Sequence, residues 1–313
     1  MLSAILNVNK PSGWTSFDVV KFVRGRCGER RVGHAGTLDP AATGVLPVLI
    51  GQATRLTEYL VDATKTYDAT IELGVVTDTF DAEGDVVSRT DASNISEDAI
   101  REALEAFEGD ILQAPPVYSA LKQDGVPLYK RARRGETVRT APRPVRVEKL
   151  DIMHFAAPIL QLRIVCGKGF YVRSLAHDLG AALGVGGSLS GLVRSRVGTF
   201  CIEDAVDIET LRGEFETGAW RERLVAQDEI LIDWRAAILG LETARRLVNG
   251  QDARLEPAGA VSIAPGDRCR AYTTDGDFVA VLRHAGESEW RPEKVFAQTR
   301  VDDSAILGSD SQA

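Results

Sequence analysis

The chain has 313 residues, 44% of them hydrophobic and 26% charged, with a formal net charge of −8. That composition is that of a soluble globular protein, not a disordered or membrane one, and no apolar run reaches the ~18–20 residues of a membrane-crossing helix. The length allows a sizeable core and two domains, one large and one small.

From the N-terminus, the first residues lack the basic and long apolar regions of a secretion signal. "AILNVNK" reads as a short strand. "TSFDVVKFVRGRCG" reads as a helix, with Thr15 or Ser16 as cap, Val19, Val23 and Cys27 at i, i+4 spacing, and Gly28 at its end. "GVLPVLIG" is a buried strand or strand-loop. "KTYDATIELGVV" alternates Tyr67, Ala69, Ile71, Leu73 and Val75 on one face of a half-buried strand. "NISEDAIREALEAFEG" carries an Asx-x-x-Glu start at Asn94 and Glu97, a stripe of Ile100, Leu104 and Phe107, and a stop at Gly109. Strands around "VRVEKLDIMHF" and "ILQLRIVCG" precede a helix, "YVRSLAHDLGAALG". Without regular βα alternation, this order indicates an α+β fold with a mixed or antiparallel sheet. After "AQDEILIDW" come a helix and turn, then a hairpin turning at Asp275-Gly276. These mark a small β-rich domain over 233–300 after a larger one over 1–232. The acidic tail, 301–313, reads as disordered.

The charge is unevenly spread. Between Ser119 and Lys149 stand nine basic residues, among them Lys130, Arg131, Arg133 and Arg134, against Asp124, Glu136 and Glu148. Such a run is either a solvated face or a surface that grips a polyanion, since a local field acts whatever the total charge. The four cysteines lack CxxC spacing and the four histidines are dispersed, which fits free thiols in a reducing cytosol and no metal site. "CGKGFYVR" is out of register for a phosphate loop, and "GVGGSLSG" has Leu189 where a dinucleotide motif needs glycine. No cofactor is expected.

"HAGTLDPAATGVLP" builds a turn around one carboxylate, Asp39. Asp before Pro is ordinary turn chemistry, so the stretch alone does not assign a role. Arg173 is the second residue of interest. In the first turn of its helix a cation opposes the macrodipole, at about 0.3–1 kcal/mol. Either its head lies in water, or an anion such as Asp39 or an RNA phosphate meets it there. Contact with Asp39 would depress that carboxylate's pKa.

Five blocks, in order, resemble the signatures of the TruB family of tRNA pseudouridine-55 synthases. They are "NKPSGWTS" (9–16), "GHAGTLDPAATGVLP" (33–47), "KTYDATIELG" (65–74), "PPVYSALKQDGVPLYKRARRG" (115–135) and "CGKGFYVRSLAHDLG" (166–180). The resemblance implies a pseudouridine synthase fold, its mixed and largely antiparallel sheet flanked by helices, with a PUA-like C-terminal RNA-binding domain. It implies Asp39 as the catalytic carboxylate, Tyr67 against the base as proton-transfer residue, and Arg173 paired with Asp39. By the same resemblance Tyr171 and Leu192 line the pocket and His34 contacts RNA near the space left by the flipped base. Lys10 and Pro11 brace the active-site loop, and Lys10 counts with Lys130, Arg133 and Arg134 among the substrate-binding residues. From pattern alone, Tyr67 is equally a core aromatic and His34 a structural histidine. The implied enzyme is cytoplasmic, takes the tRNA T-stem-loop, uses neither metal nor cofactor, and works as a monomer without an obligate protein partner. Two rivals are a noncatalytic RNA-binding protein, which would not need Asp39, Tyr67 and Arg173 together, and a synthase aimed by a guide RNA.

Overall fold

The strand Lys65–Leu73 buries Ala69, Ile71 and Leu73 on the face that the two-residue period selects. It lies inside a large sheet. In the computed structural model, which describes residues 2–119, 121–123, 126–128, 131, 134, 140–256 and 262–296, the strands run 206–207, 4–10, 43–50, 187–197, 65–73, 159–166, 143–156 and 109–113. Most neighbours are antiparallel; 206–207 with 4–10, and 43–50 with 187–197, are parallel. The mixed, largely antiparallel expectation is met.

Two helical layers cover this sheet. Val172–Ala182 and Glu97–Leu104 pack Leu175, Leu179, Ile100 and Leu104 onto Ile71, Leu160 and Leu162. Ser16–Cys27 packs Val19, Val23 and Cys27 against Leu6, Leu46 and Val48. Thr15 caps that helix by accepting from the Asp18 amide while Asp18 returns a bond to the Thr15 amide, and Gly28 closes it at φ +75°. The start at Asn94 is corrected. Ser96, directly before the helix, accepts from the Ala99 amide at 3.2 Å, because only the residue at the junction reaches that amide.

The parallel pairing of Thr43–Ile50 with Gly187–Val197 covers only Thr43 and Gly44, opposite Val193 and Arg194. Gly44 has φ +105°, and a Cβ there would stand 2.3 Å from the Arg194 carbonyl oxygen, so only glycine lets the strands approach. Pro47, which donates no ladder bond, falls between this pairing and that of Val32–His34 with 48–50.

A second sheet of five strands, in the order 235–239, 268–273, 278–286, 289–295 and 253–254, packs with Leu241–Val248 around Leu247, Ala271, Leu282 and Trp290. Its hairpin turns at Gly276, φ +87°, as the Asp-Gly pair requires. Leu56 and Leu231 meet Phe278, Val281 and Phe296, and the Tyr59 ring stands edge-on to Trp234 at 5.0 Å, so the two sheets share an apolar seam. No described helix is long and apolar enough to cross a membrane. The residues 301–313, read as a tail, lie outside the described residues.

Candidate active site

Asp39 sits on the loop between Val32–His34 and Thr43–Ile50. Neighbouring elements hold that loop at several points. The Ser16 hydroxyl accepts from the Leu38 amide at 2.8 Å. The Gly13 amide donates to the Pro40 carbonyl at 2.9 Å. The Lys10 ammonium donates to the carbonyls of Pro11, Trp14 and Pro40 at 2.8, 2.6 and 3.1 Å. Arg194 donates to the Gly36 and Val45 carbonyls at 3.1 and 2.8 Å. A carboxylate is thereby fixed on a loop without losing its opening to solvent.

That opening is a cleft of about 380 Å³ lined by Asp39, Lys65, Tyr67, Tyr171, Arg173, Leu192 and Arg194, among others. Arg173, its side chain 7% exposed, reaches Asp39 Oδ2 with Nε at 3.0 Å and Asp81 Oδ2 with Nη1 at 3.2 Å. Its Nη2 donates to the Tyr118 carbonyl at 2.9 Å. A cation in the first turn of a helix is tolerated because two carboxylates meet it. The Gln113 side-chain amide fixes the helix entrance: Oε1 accepts from the Tyr171 amide at 2.8 Å and Nε2 donates to the Tyr171 carbonyl at 3.1 Å.

The electrostatics revise one expectation. Asp39 and Arg173 are paired, and the guanidinium does favour the carboxylate. Burial nevertheless outweighs it, Asp81 adds repulsion, and the Asp39 pKa moves above its ordinary value. The Asp39 side chain is still 44% exposed into the cleft, so water there moderates this rise. Desolvation likewise raises the Tyr67 phenol, with Arg194 pulling the other way. It lowers the Lys65 ammonium to about 8, although that group donates to the Val61 and Ala63 carbonyls.

The cleft thus gathers Asp39, Tyr67, Tyr171, Arg173 and Leu192. Among the described residues singled out from the sequence, it does not gather His34, Lys10 or Arg134. His34 lies at the end of its short strand, outside the cleft lining, with its pKa lowered by burial and by Arg194. Lys10 is 0% exposed and its ammonium is spent on carbonyls, so it braces the loop as the resemblance implied, and its place among the substrate-binding residues is corrected. Arg134 is exposed. Lys130 and Arg133 lie outside the described residues. In the same basic segment Arg146 pairs with Asp110 at 2.8 Å and Lys149 with Asp151 at 2.9 Å, so part of its charge is spent locally.

The sequence reading missed Asp81, Arg194, Lys65 and Gln113. Arg194 was within reach of it: two positions beyond Leu192 on one strand, it shares that residue's face, opposite Tyr67. Asp81 stands in an acidic turn with Asp78, Glu83 and Asp85, and nothing local marks it out. Among the described residues no cluster of His, Cys, Asp and Glu could hold a metal ion.

Residues 24–172 match the model of the TruB family pseudouridylate synthase N-terminal domain, and 173–244 match that of the tRNA pseudouridylate synthase B C-terminal domain. The chain is 43% identical over 295 residues to tRNA pseudouridine synthase B of Dehalococcoides mccartyi, covering 94% of this chain and 97% of the relative. It is 41% identical over 296 residues to the protein of that name from Burkholderia mallei, covering 94% and 97%. Among solved structures, a chain of an H/ACA RNP bound to a substrate RNA containing 2'-deoxyuridine superposes with a TM-score of 0.72 at 24% identity, covering 94% of this chain and 85% of that one. A chain of a Cbf5-Nop10-Gar1 complex gives 0.71 at 25% identity, with the same coverages.

Proposed function

This chain belongs to the TruB family of tRNA pseudouridine synthases and isomerises uridine to pseudouridine in tRNA; we propose that its target is the T-loop uridine at position 55, flipped out of its stack into the Asp39 cleft. The observation that carries this assignment is the half-open carboxylate of Asp39, held by a buried guanidinium at 3.0 Å and faced by Tyr67 and Leu192. Flipping costs a few kcal/mol of unstacking.

The reaction breaks the N1–C1′ bond, turns the uracil, and joins C5 to C1′. N1 gains a proton and C5 loses one, so atoms balance without a second substrate. Among the described residues lining the cleft, the Asp39 carboxylate is the group suited, when ionised, to trap or stabilise positive charge at C1′, or to remove the C2′ proton. Arg173 aims it. Tyr67, raised out of the phenolate range, is a neutral hydroxyl able to carry a proton. Leu192 and Tyr171 form the walls that keep the detached base close. The basic segment of 119–149 and the five-stranded C-terminal sheet grip the RNA backbone, and one copy of the chain suffices.

The test is tritium release from C5-labelled uridine in a T-stem-loop RNA. Forming the C5–C1′ bond expels the C5 hydrogen, and binding alone does not. Binding without release would leave the chain an RNA-binding protein. Release that required an added guide RNA would favour the guided rival.

A further inference from the structure

The turn 78–85 carries a feature the reaction chemistry has not used. Phe80 has φ +66°, in the left-handed region that a non-glycine residue rarely occupies. Its surroundings hold it there. The Phe80 carbonyl accepts from the Leu189 amide at 3.0 Å, and the Ala82 amide donates to the Leu189 carbonyl at 2.9 Å. The Phe80 ring lies flat on His177, with centroids 3.9 Å apart and planes 15° apart. Neither ring lines the cleft.

His177 follows Arg173 by four residues on the helix Val172–Ala182, and such residues share a face. Phe80 immediately precedes Asp81. One helix face therefore grips two adjacent residues of the turn, Asp81 by its guanidinium and Phe80 by a ring. The Asp81 carboxylate is further fixed by the Thr79 hydroxyl at 2.6 Å and the Glu83 amide at 3.1 Å. We propose that the Phe80–His177 stack is a positioning clamp for the reaction, holding Asp81 against Arg173 so that the guanidinium presents Nε to Asp39 at a fixed angle. A strained backbone persists only where its surroundings over-determine it, and here they converge on the residue before Asp81. This clamp rests on the reading of Asp39 as the catalyst.

The experiment compares His177→Leu, His177→Phe and Phe80→Gly with Asp39→Asn, measuring the single-turnover rate at saturating stem-loop RNA, RNA affinity and the unfolding temperature. His177→Leu and Phe80→Gly are expected to slow the saturated rate about ten- to a hundredfold, the scale of a small misplacement of a reacting group, with affinity unchanged. His177→Phe keeps a flat ring and retains most of the rate. Phe80→Gly loses rate while its unfolding temperature holds or rises, because glycine adopts φ +66° without strain. The clamp is overturned by wild-type rates in His177→Leu or Phe80→Gly, by a defect in His177→Phe as large as in His177→Leu, or by losses confined to affinity or tracking a fall in stability. Should Asp39→Asn also keep its turnover, the reading of the site itself fails. An inactive Asp39→Asn beside wild-type clamp variants sinks the clamp alone.

Discussion

Arg173→Lys keeps the charge and removes the fork, so it isolates what planarity contributes. In the native site the guanidinium serves Asp39 at 3.0 Å, Asp81 at 3.2 Å and the Tyr118 carbonyl at 2.9 Å, with Thr79 at the edge of range at 3.4 Å. A single ammonium on one point cannot meet acceptors spread around a plane. At least one carboxylate and one carbonyl lose their donor. An abandoned buried acceptor costs about 1–3 kcal/mol, and the share falling on Asp39 is smaller because it is partly solvated. The total, roughly 2–4 kcal/mol, corresponds to about a 30- to 1000-fold loss of rate if it is felt in the transition state. The pH profile supplies a second readout. Arg173 holds the Asp39 pKa down against burial, so a weaker contact lets it rise further. The working form is the ionised carboxylate, and the acid-side fall in rate must therefore move to higher pH. Single-turnover pseudouridine formation across pH, at saturating stem-loop RNA, measures both. A wild-type rate with an unmoved acid limb would refute the pairing as a catalytic device.

Asp39→Asn, nearly isosteric and uncharged, should lose at least about a thousandfold in turnover, ~4 kcal/mol of barrier, with RNA affinity kept; activity within tenfold of wild type removes Asp39 as catalyst. Lys10→Met strips the donor from three carbonyls and should lower the unfolding free energy by roughly 3 kcal/mol in chemical denaturation. Burial lowers the folded Lys10 pKa to about 8 from 10.5, so the unfolded chain binds more protons between these values and Lys10 adds stability as pH rises through 8. Stability curves of the two proteins measured from pH 7 to 9 should diverge in slope, and parallel curves would show that Lys10 does not titrate in that window. Arg133→Ala/Arg134→Ala should make the dependence of log K on log[salt] shallower by somewhat less than one unit per contact, leaving saturated turnover unchanged. Identical slopes would reduce these arginines to ordinary surface.

What the sequence made legible follows from which interactions are local. The Thr15 cap, the Val19–Val23–Cys27 stripe and the Asp275-Gly276 turn are written within a few residues of where they act, and they form as read. Asp39 and Arg173, 134 positions apart, were one open alternative from pattern and were paired by a family resemblance, and the structure brings them to 3.0 Å. Other links had no local trace. Asp81 finds Arg173 across 92 positions, and Gln113 clamps Tyr171 across 58. The direction of the Asp39 pKa was misread for the same reason: a salt bridge can be guessed from two residues, whereas desolvation is a property of everything around them. Lys10 was read both as a brace of the loop and as a substrate-binding residue, because its motif does not tell whether an ammonium points to solvent or into carbonyls; the structure turns it into carbonyls.

Taken as an average, the net charge of −8 argues against an RNA substrate, and the buried charges resolve the conflict. Among the described residues, the buried lysines and arginines are Lys10, Lys65, Arg173 and Arg194. Three of them line the cleft and the fourth holds its loop. Burying a cation costs several kcal/mol unless partners offset it, and here backbone carbonyls and two carboxylates do so incompletely. Desolvation takes Lys10 and Lys65 to about 8, which still leaves both mostly protonated at neutral pH. Arg194, 1% exposed, remains cationic although burial lowers its pKa, because an arginine starts so far above neutrality. Among the described residues lining the cleft, Lys65, Arg173 and Arg194 outnumber the carboxylate Asp39, so the local balance is positive where the whole chain is negative. A low-dielectric wall makes such a field stronger at the cleft than surface charges of equal number would. The acidic exterior and the cationic cleft are then compatible: the cleft carries positive charge locally, while the net charge of −8 sums buried and surface groups over the whole chain.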